Sequence, residues 1–348
     1  MIAGLDSLLE MTEQPGLGEL RVAVGALLGG PQVEGRVVGE ERLNRLGTVN
    51  RARFEANGES ISVVVKCSSL DLAQRIGFVT CRCLPAAGLE SGAAAILATA
   101  AERSGRCVWH IHEDLGERTL ENDRDPATVR AGVQLLGDLH TRFIGHPILA
   151  QVREWGREFG PGFYSSSVRD AITCLQALSP SDLDRLGDCV ALRDRLLERV
   201  WTLHAEEPDR TRAIADLGGP ETLLHGDLWL KNAAVVRCRQ RVQVRLIDWE
   251  HAGIGPLAYD LSTFVNGFSA DERDGVLELY EEAIADSGWR LPAREDLNYL
   301  FTSLELGRLA NCVIWPALAA IDGVEGSLER LELADEWLES LEAVLPVP

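Results

Sequence analysis

Asp227, Asn232 and Asp248 stand out in residues 223–250, and their types and spacing suit metal-assisted chemistry on oxygen. Asp227 and Asn232 lie five apart in His-Gly-Asp-Leu-Trp-Leu-Lys-Asn. That spacing suits a tight loop that presents one carboxylate and one amide to the same small volume. Residues 242–247, Val-Gln-Val-Arg-Leu-Ile, read as a strand, with the Arg-Cys-Arg-Gln-Arg run before it as a hairpin tip. A strand returning from that hairpin brings Asp248 back beside the loop. Two carboxylates and an amide at one point form a hard-oxygen donor set, which suits Mg²⁺.

The elements that must position these residues begin upstream. Helices are expected over 5–11 and 17–29, the second ending on Gly29-Gly30. Residues 35–67 read as three strands: one opened by Val37-Val38, one from Val49 to Ala56, and one from Ile61 to Lys66, rich in β-branched residues. Asn57-Gly58 is a tight-turn pair between the last two. Arg45-Leu46-Gly47-Thr48 connects the first two and holds a single glycine. A helix is expected over 89–103, with Ala93, Ile96, Leu97 and Ala100 on its buried face and Glu90 on the same side. Residues 106–112 read as a strand that runs into Glu113-Asp114-Leu115-Gly116. The remainder is mostly helical, over 126–144, 168–206, 271–287, 293–320 and 327–344, with a further helix after Pro256. Residues 145–167, rich in Gly, Pro and Ser, read as an irregular connection.

A chain of 348 residues has room for two domains, each with its own core. The net charge of −20 argues against nucleic acid and anionic membrane as partners, because both need a basic footprint. It is compatible with a cationic substrate, although a solvated acidic surface is the commoner cause. The eight cysteines are scattered, no Cys-x-x-Cys pair occurs, and Cys81 and Cys83 have no second pair to complete a zinc pattern. Reduced thiols in a cytoplasmic protein are therefore expected. The N-terminus lacks a basic segment followed by an apolar run, and no apolar run approaches the ~20 residues that span a bilayer.

His225-Gly226-Asp227 with Asn232, and Ile247-Asp248-Trp249-Glu250, resemble the catalytic loop and metal site of the aminoglycoside phosphotransferase and choline kinase family, relatives of protein kinases. The resemblance implies an α+β, two-lobed protein-kinase-like fold. Residues 1–114 would form the nucleotide-binding lobe, built on an antiparallel sheet and ending in a hinge. Residues 115–348 would form a helical lobe with the catalytic loop, metal site and acceptor pocket. It implies Asp227 as the base that orients and deprotonates a hydroxyl, and Asn232 and Asp248 as Mg²⁺ ligands. Lys66 would pair with the α- and β-phosphates of ATP, and Glu90, or failing that Glu102, would fix the direction of Lys66. Gly47 and Thr48 would cover the phosphates. His112, Glu113 and Leu115 would form the hinge, where the backbone rather than the side chains holds the adenine. Asp260 resembles the aspartate that braces the catalytic loop, and His140 a packing residue beneath it. Lys231 is left open between a phosphate contact and solvent.

Asp248 and Asp260 are only twelve residues apart, and no Ala-Pro-Glu follows. A peptide-binding activation segment does not fit there, which favours a small-molecule hydroxyl as acceptor. The resemblance places the acceptor pocket on the C-terminal helices, which carry Glu305, Arg308, Asn311 and Trp315. Glu305 would suit an amino sugar and Trp315 would stack on a ring. The expected function is an ATP- and Mg²⁺-dependent kinase, with GTP left open, acting as monomer or homodimer. An antibiotic, either an aminoglycoside or a sugar-bearing nucleoside, is the first choice of acceptor, with resistance as the consequence. A sugar, choline or an amino alcohol is the alternative, and a nucleotide-binding regulator without catalysis stands behind both.

Overall fold

The β-branched run that ends on Lys66 lies inside a six-stranded sheet of order β1-β2-β3-β4-β6-β5. The strands are β1 (Ile2–Ala3), β2 (Gly35–Arg42), β3 (Val49–Ala56), β4 (Glu59–Ser68), β5 (Ile96–Ala101) and β6 (Val108–Glu113). The computed structural model describes the whole chain except residues 1, 5–14, 31–33, 45–47, 57, 179–189, 239–240, 342 and 346–348. The expected helix over 5–11, Gly47 and the hairpin tip at 239–240 therefore lie wholly or partly outside the described residues.

Side chains alternate across a strand, and here the alternation sorts core from site. Ala52 and Phe54 of β3, Val63, Val65 and Cys67 of β4, and Trp109 and Ile111 of β6 form one buried face. Helix α1 (Leu17–Leu27) covers that face with Leu20 and Val24. Lys66 falls between Val65 and Cys67 and so projects from the opposite face. Its register partners are Val49 on β3 and His110 on β6.

The expected helix over 89–103 is not formed. Glu90–Gly92 make one 3₁₀ turn, and the following residues form β5, antiparallel to β6 with Ala101 opposite Val108. The unpaired edge of β6 outweighs the weak helix preference of the alanines, since tertiary context overrides propensity. The helix that follows the lysine strand is instead α2 (Leu70–Phe78), prolonged by a π-helical turn over Val79–Cys83.

By its internal contacts the chain divides into two compact units. The first runs past residue 114 to Leu135 and takes in Leu230–Ala252, which include the hairpin of β9 (Ala233–Cys238) and β10 (Arg241–Leu246). The second comprises Leu136–Trp229 and Gly253–Pro348, so one boundary falls inside α3 (Pro126–Phe143).

The second unit is mainly helical. Residues 145–167, expected to be irregular, hold α4 (Leu149–Trp155), the short β7 (Arg157–Glu158) and the start of α5 (Pro161–Ala177). Pro161 opens its helix, where a missing N–H costs nothing. Then come α6 (Val190–Ala205), α7 (Glu207–Leu217), β8 (Glu221–Leu224), β11 (Gly253–Pro256), α8 (Ala258–Asn266), α9 (Arg273–Ala283), α10 (Arg294–Ile321) and α11 (Ser327–Ser340). Strand β11 lies between β7 and β8 so tightly that a Cβ at Gly255 would come within 2.0 Å of the Phe159 carbonyl oxygen. By length and composition α10 could cross a membrane, contrary to the expectation from apolar runs. Its Leu300, Phe301, Leu304, Val313 and Ala317 are buried in the second unit, as in a core helix.

Candidate active site

In the first unit, Lys66 is held by two carboxylates. Its Nζ lies 2.5 Å from Oδ1 of Asp248 and 2.9 Å from Oε1 of Glu250. Burial alone would lower the pKa of this ammonium, but the two carboxylates outweigh it and raise the value. Asp248 follows β10 with φ 68° and ψ 54°, and is the only non-glycine residue at positive φ among the described residues. Aspartate tolerates this left-handed conformation better than most residues. The Ile247 N–H donates to the Asn232 carbonyl over 2.9 Å, which ties the residue before Asp248 to Asn232. Glu250 lies in the 3₁₀ turn Trp249–His251, and its carbonyl accepts a 2.7 Å hydrogen bond from Nη1 of Arg75 on α2.

These groups line a cavity of about 550 Å³ that also takes in Thr48, His112, Glu113, Leu115, Lys231 and Asn232. Most of the residues expected to bind nucleotide or metal thus meet in one place. Thr48 is fixed by Asn44, whose side chain donates to the threonine hydroxyl (2.7 Å) and accepts from its N–H (3.0 Å). Burial, aided by the charge of Lys66 and by His110, pushes the His112 imidazole down to about 4, so the ring is neutral at ordinary pH. The Glu113 carboxylate accepts the Ala95 N–H (2.8 Å) and pairs with Arg245. Asp114 accepts from Ser62 (2.6 Å) and pairs with Arg51 (3.0 Å). These acidic side chains are engaged within the fold.

Glu90 is not among them. It is exposed in its 3₁₀ turn, and the carboxylates on Lys66 are those of Asp248 and Glu250. The fallback, Glu102, instead holds its own turn by accepting from the Ser104 and Arg106 N–H groups. Glu250, Arg75 and Asn44 were missed. The Glu in Ile-Asp-Trp-Glu was the one signal available, two residues from a carboxylate already singled out.

In the second unit, His225, Gly226 and Asp227 follow β8. The Asp260 carboxylate in the first turn of α8 accepts the N–H of His225 at 2.6 Å and of Gly226 at 3.0 Å. Asp260 is fully buried, and burial would raise its pKa; its hydrogen bonds and the neighbouring His140 and His225 hold it below 3.8 instead. His140 Nδ1 shares a 2.6 Å hydrogen bond with the Tyr280 hydroxyl. From the other side, Arg308 of α10 donates to the Gly226 carbonyl (3.0 Å) and the Tyr259 carbonyl (3.3 Å), with its guanidinium 4.1 Å from the centre of the Tyr259 ring. The turn that ends on Asp227 is therefore braced at both its N–H and its carbonyl groups. Asp227 itself is half-buried.

Glu305 is not on the surface of α10. It is buried, accepts from the Ser262 (2.7 Å) and Thr263 (3.0 Å) hydroxyls, and pairs with Arg308 at 3.5 Å. An (i, i+3) pair on one helix face is neighbourly by construction, so burial turned an expected surface contact into internal bracing. Trp315, nearly three turns beyond Glu305 along α10, is 64 % exposed to solvent.

The donors near Lys66 fit Mg²⁺ chemically. Asn232 and Asp248 offer hard oxygens, and Mg²⁺ commonly takes one or two carboxylates and completes its shell with phosphates and water. Among the described residues no cluster of three or more His, Cys, Asp or Glu could form an all-protein cage.

Known structures share this fold. The choline kinase LicA from Streptococcus pneumoniae has 16% identity, covers 88% of this chain and 94% of its own, and superimposes with a TM-score of 0.52. A spectinomycin phosphotransferase solved with ADP and spectinomycin has 12% identity, coverage of 89% and 90%, and a TM-score of 0.54. A choline/ethanolamine kinase family protein from Mesorhizobium loti has 15% identity, coverage of 99% and 95%, and a TM-score of 0.53. At such identities the likeness is one of fold, and the fold is kinase-like. No curated protein matches the sequence. The model of the phosphotransferase enzyme family matches residues 55–295, more than half of the chain, from β3 to the start of α10. The chain belongs to that family, and it is a small-molecule phosphotransferase.

Proposed function

We propose that this enzyme transfers the γ-phosphate of ATP to a hydroxyl of a small molecule in a Mg²⁺-dependent reaction. The observation that carries the reading is Lys66 between Asp248 and Glu250 in a cavity that also holds Asn232 and the residues 112–115. A cation on the phosphates, hard-oxygen donors beside it and a hinge are what phosphoryl transfer requires, because positioning and charge neutralisation supply most of the catalysis. In this reading the backbone of residues 112–115 holds the base, with residues 1–114 as the nucleotide-binding portion. Lys66 exchanges a carboxylate for the non-transferring phosphates. Asn232 and Asp248 would hold Mg²⁺, which would supply neutralisation of phosphate charge. Asp227 orients the acceptor hydroxyl and receives its proton. The proton leaves late in a loose transition state, so an ordinary aspartate is basic enough.

An antibiotic is the first acceptor class, with resistance as the consequence, supported by the fold shared with the spectinomycin phosphotransferase. The fold shared with choline and ethanolamine kinases supports the second reading, a metabolic kinase of an amino alcohol. The burial of Glu305 removes one argument for an amino sugar. Six free cysteines among the described residues support a cytoplasmic site of action.

The test is a coupled ADP-release assay with Mg-ATP across aminoglycosides, spectinomycin, nucleoside antibiotics, sugars, choline and ethanolamine. Acceptor-dependent release is expected, reduced about 10²- to 10⁴-fold in Asp227→Ala. Undiminished release in that variant would remove Asp227 from the mechanism. ATP binding without release for any acceptor would favour a regulator.

A further inference from the structure

Lysine that contacts phosphates in a largely buried place must be aimed, because a misdirected ammonium leaves two buried charges unpaired. The resemblance assigns the aiming to a helix glutamate, and this chain has none in place. Glu90 is exposed and not helical in the expected sense. Helix α2, which directly follows the lysine strand, contains a single acidic residue, Asp71, and it is exposed. What α2 contributes instead is a cation: Arg75 donates to the main-chain carbonyl of Glu250 over 2.7 Å. Glu250 thereby sits in a 3₁₀ turn tethered to α2, with its carboxylate 2.9 Å from Lys66 and three-quarters shielded from solvent.

We propose that Glu250, anchored through Arg75, is the positioning residue for Lys66 and takes the part of the absent helix glutamate. This rests on the kinase reading above. Both carboxylates touch Lys66, but Asp248 is the one assigned to the metal. Glu250 is the partner that remains when Asp248 is given to Mg²⁺. The competing assignment makes Glu250 a further metal ligand, and the two differ in what they couple to. A positioning residue acts only through Lys66, whereas a ligand acts through the metal whether or not Lys66 is present.

The experiment is a double-mutant cycle of Glu250→Gln and Lys66→Met, with thermal midpoints as a folding control. Turnover and the Mg²⁺ concentration for half-maximal rate are measured together, and Mg-ADP affinity is measured by calorimetry. Glu250→Gln is expected to lower kcat about tenfold, to leave half-saturating Mg²⁺ within about twofold, and to add less than about twofold to the loss from Lys66→Met. Glu250→Asp, which keeps the charge, is expected to recover part of kcat. Independent losses in the double variant, or a large rise in half-saturating Mg²⁺ cured by excess metal, would overturn the proposal and make Glu250 a metal ligand. If the wild type shows no acceptor-dependent turnover, the kinase reading fails by itself. The cycle on ADP affinity still decides the Glu250 proposal: coupling to Lys66 supports it and additivity overturns it.

Discussion

Two of the cation–carboxylate clusters among the described residues are similar in composition and opposite in design. In the first unit, Lys66 meets Asp248 and Glu250 on the wall of a cavity, and the Asp248 side chain is 41 % exposed. In the second unit, Arg308 meets Glu305 with side-chain exposures of 8 % and 2 %. The Lys66 ammonium is a compact point charge that can pass from a carboxylate to a phosphate. The Arg308 guanidinium is a planar fork spread over two carbonyls and a tyrosine ring. Solvent access separates them: an ion pair open to a cavity can be broken and remade, and a buried one is committed to its geometry. The open pair suits a ligand that comes and goes. The closed pair suits a loop whose carbonyl must not move.

The sharpest way to break this contrast is to remove Arg308. Arg308→Met leaves the Glu305 charge buried without its cation and removes the hydrogen bond to the Gly226 carbonyl, which is expected to cost about 3–5 kcal/mol of stability. Urea unfolding measures it, and a cost below about 1 kcal/mol would erase the distinction between the clusters. Glu305→Gln is expected to cost less, about 1–3 kcal/mol, because the amide oxygen still accepts from Ser262 and Thr263.

Asp260 sharpens the same contrast through pH. Its folded pKa lies below 3.8, so its contribution is fully present above the unfolded pKa and is lost as pH falls through the folded value. Wild-type unfolding midpoints should drop steeply below about pH 4, and Asp260→Asn, already destabilised at neutral pH, should show a flatter acid limb. Parallel limbs in the two proteins would show that Asp260 carries no such linkage.

Much of this arrangement was legible in the chain. Strand β4 follows from its β-branched run, and the Asn-Gly pair marks the turn that joins it to β3, patterns that depend on a few neighbouring residues. The motif residues Asp227, Asn232 and Asp248 were legible by type and spacing. What escaped depends on partners distant in sequence. Residues 96–101 became a strand because β6 offered an edge, and no local periodicity carries that information. Glu305 was assigned to an acceptor because its type suits an amino sugar; its burial against Ser262 and Thr263 arises from α8, over forty residues away. Glu250 belongs to the motif by type, but its geometry depends on Arg75, 175 residues earlier, so no local pattern reveals its contact with Lys66.

The smallest expected effect lies in the open cluster. Asp248→Gly removes a carboxylate from Lys66, and a pair this exposed is screened, so its loss costs about 0–1 kcal/mol. Glycine also gains freedom in the unfolded chain, worth roughly 0.5–1 kcal/mol against the fold. In the other direction, φ 68° at Asp248 carries left-handed strain of about 1–2 kcal/mol, which glycine relieves. These contributions nearly cancel, so the melting point of Asp248→Gly should stay close to that of the wild type while phosphotransfer collapses. Asp248→Val keeps the strain with a residue that tolerates it worse, and it should melt below both. A marked loss of stability in Asp248→Gly would mean that the carboxylate holds the fold together as Glu305 does, and that the cavity cluster is structural after all.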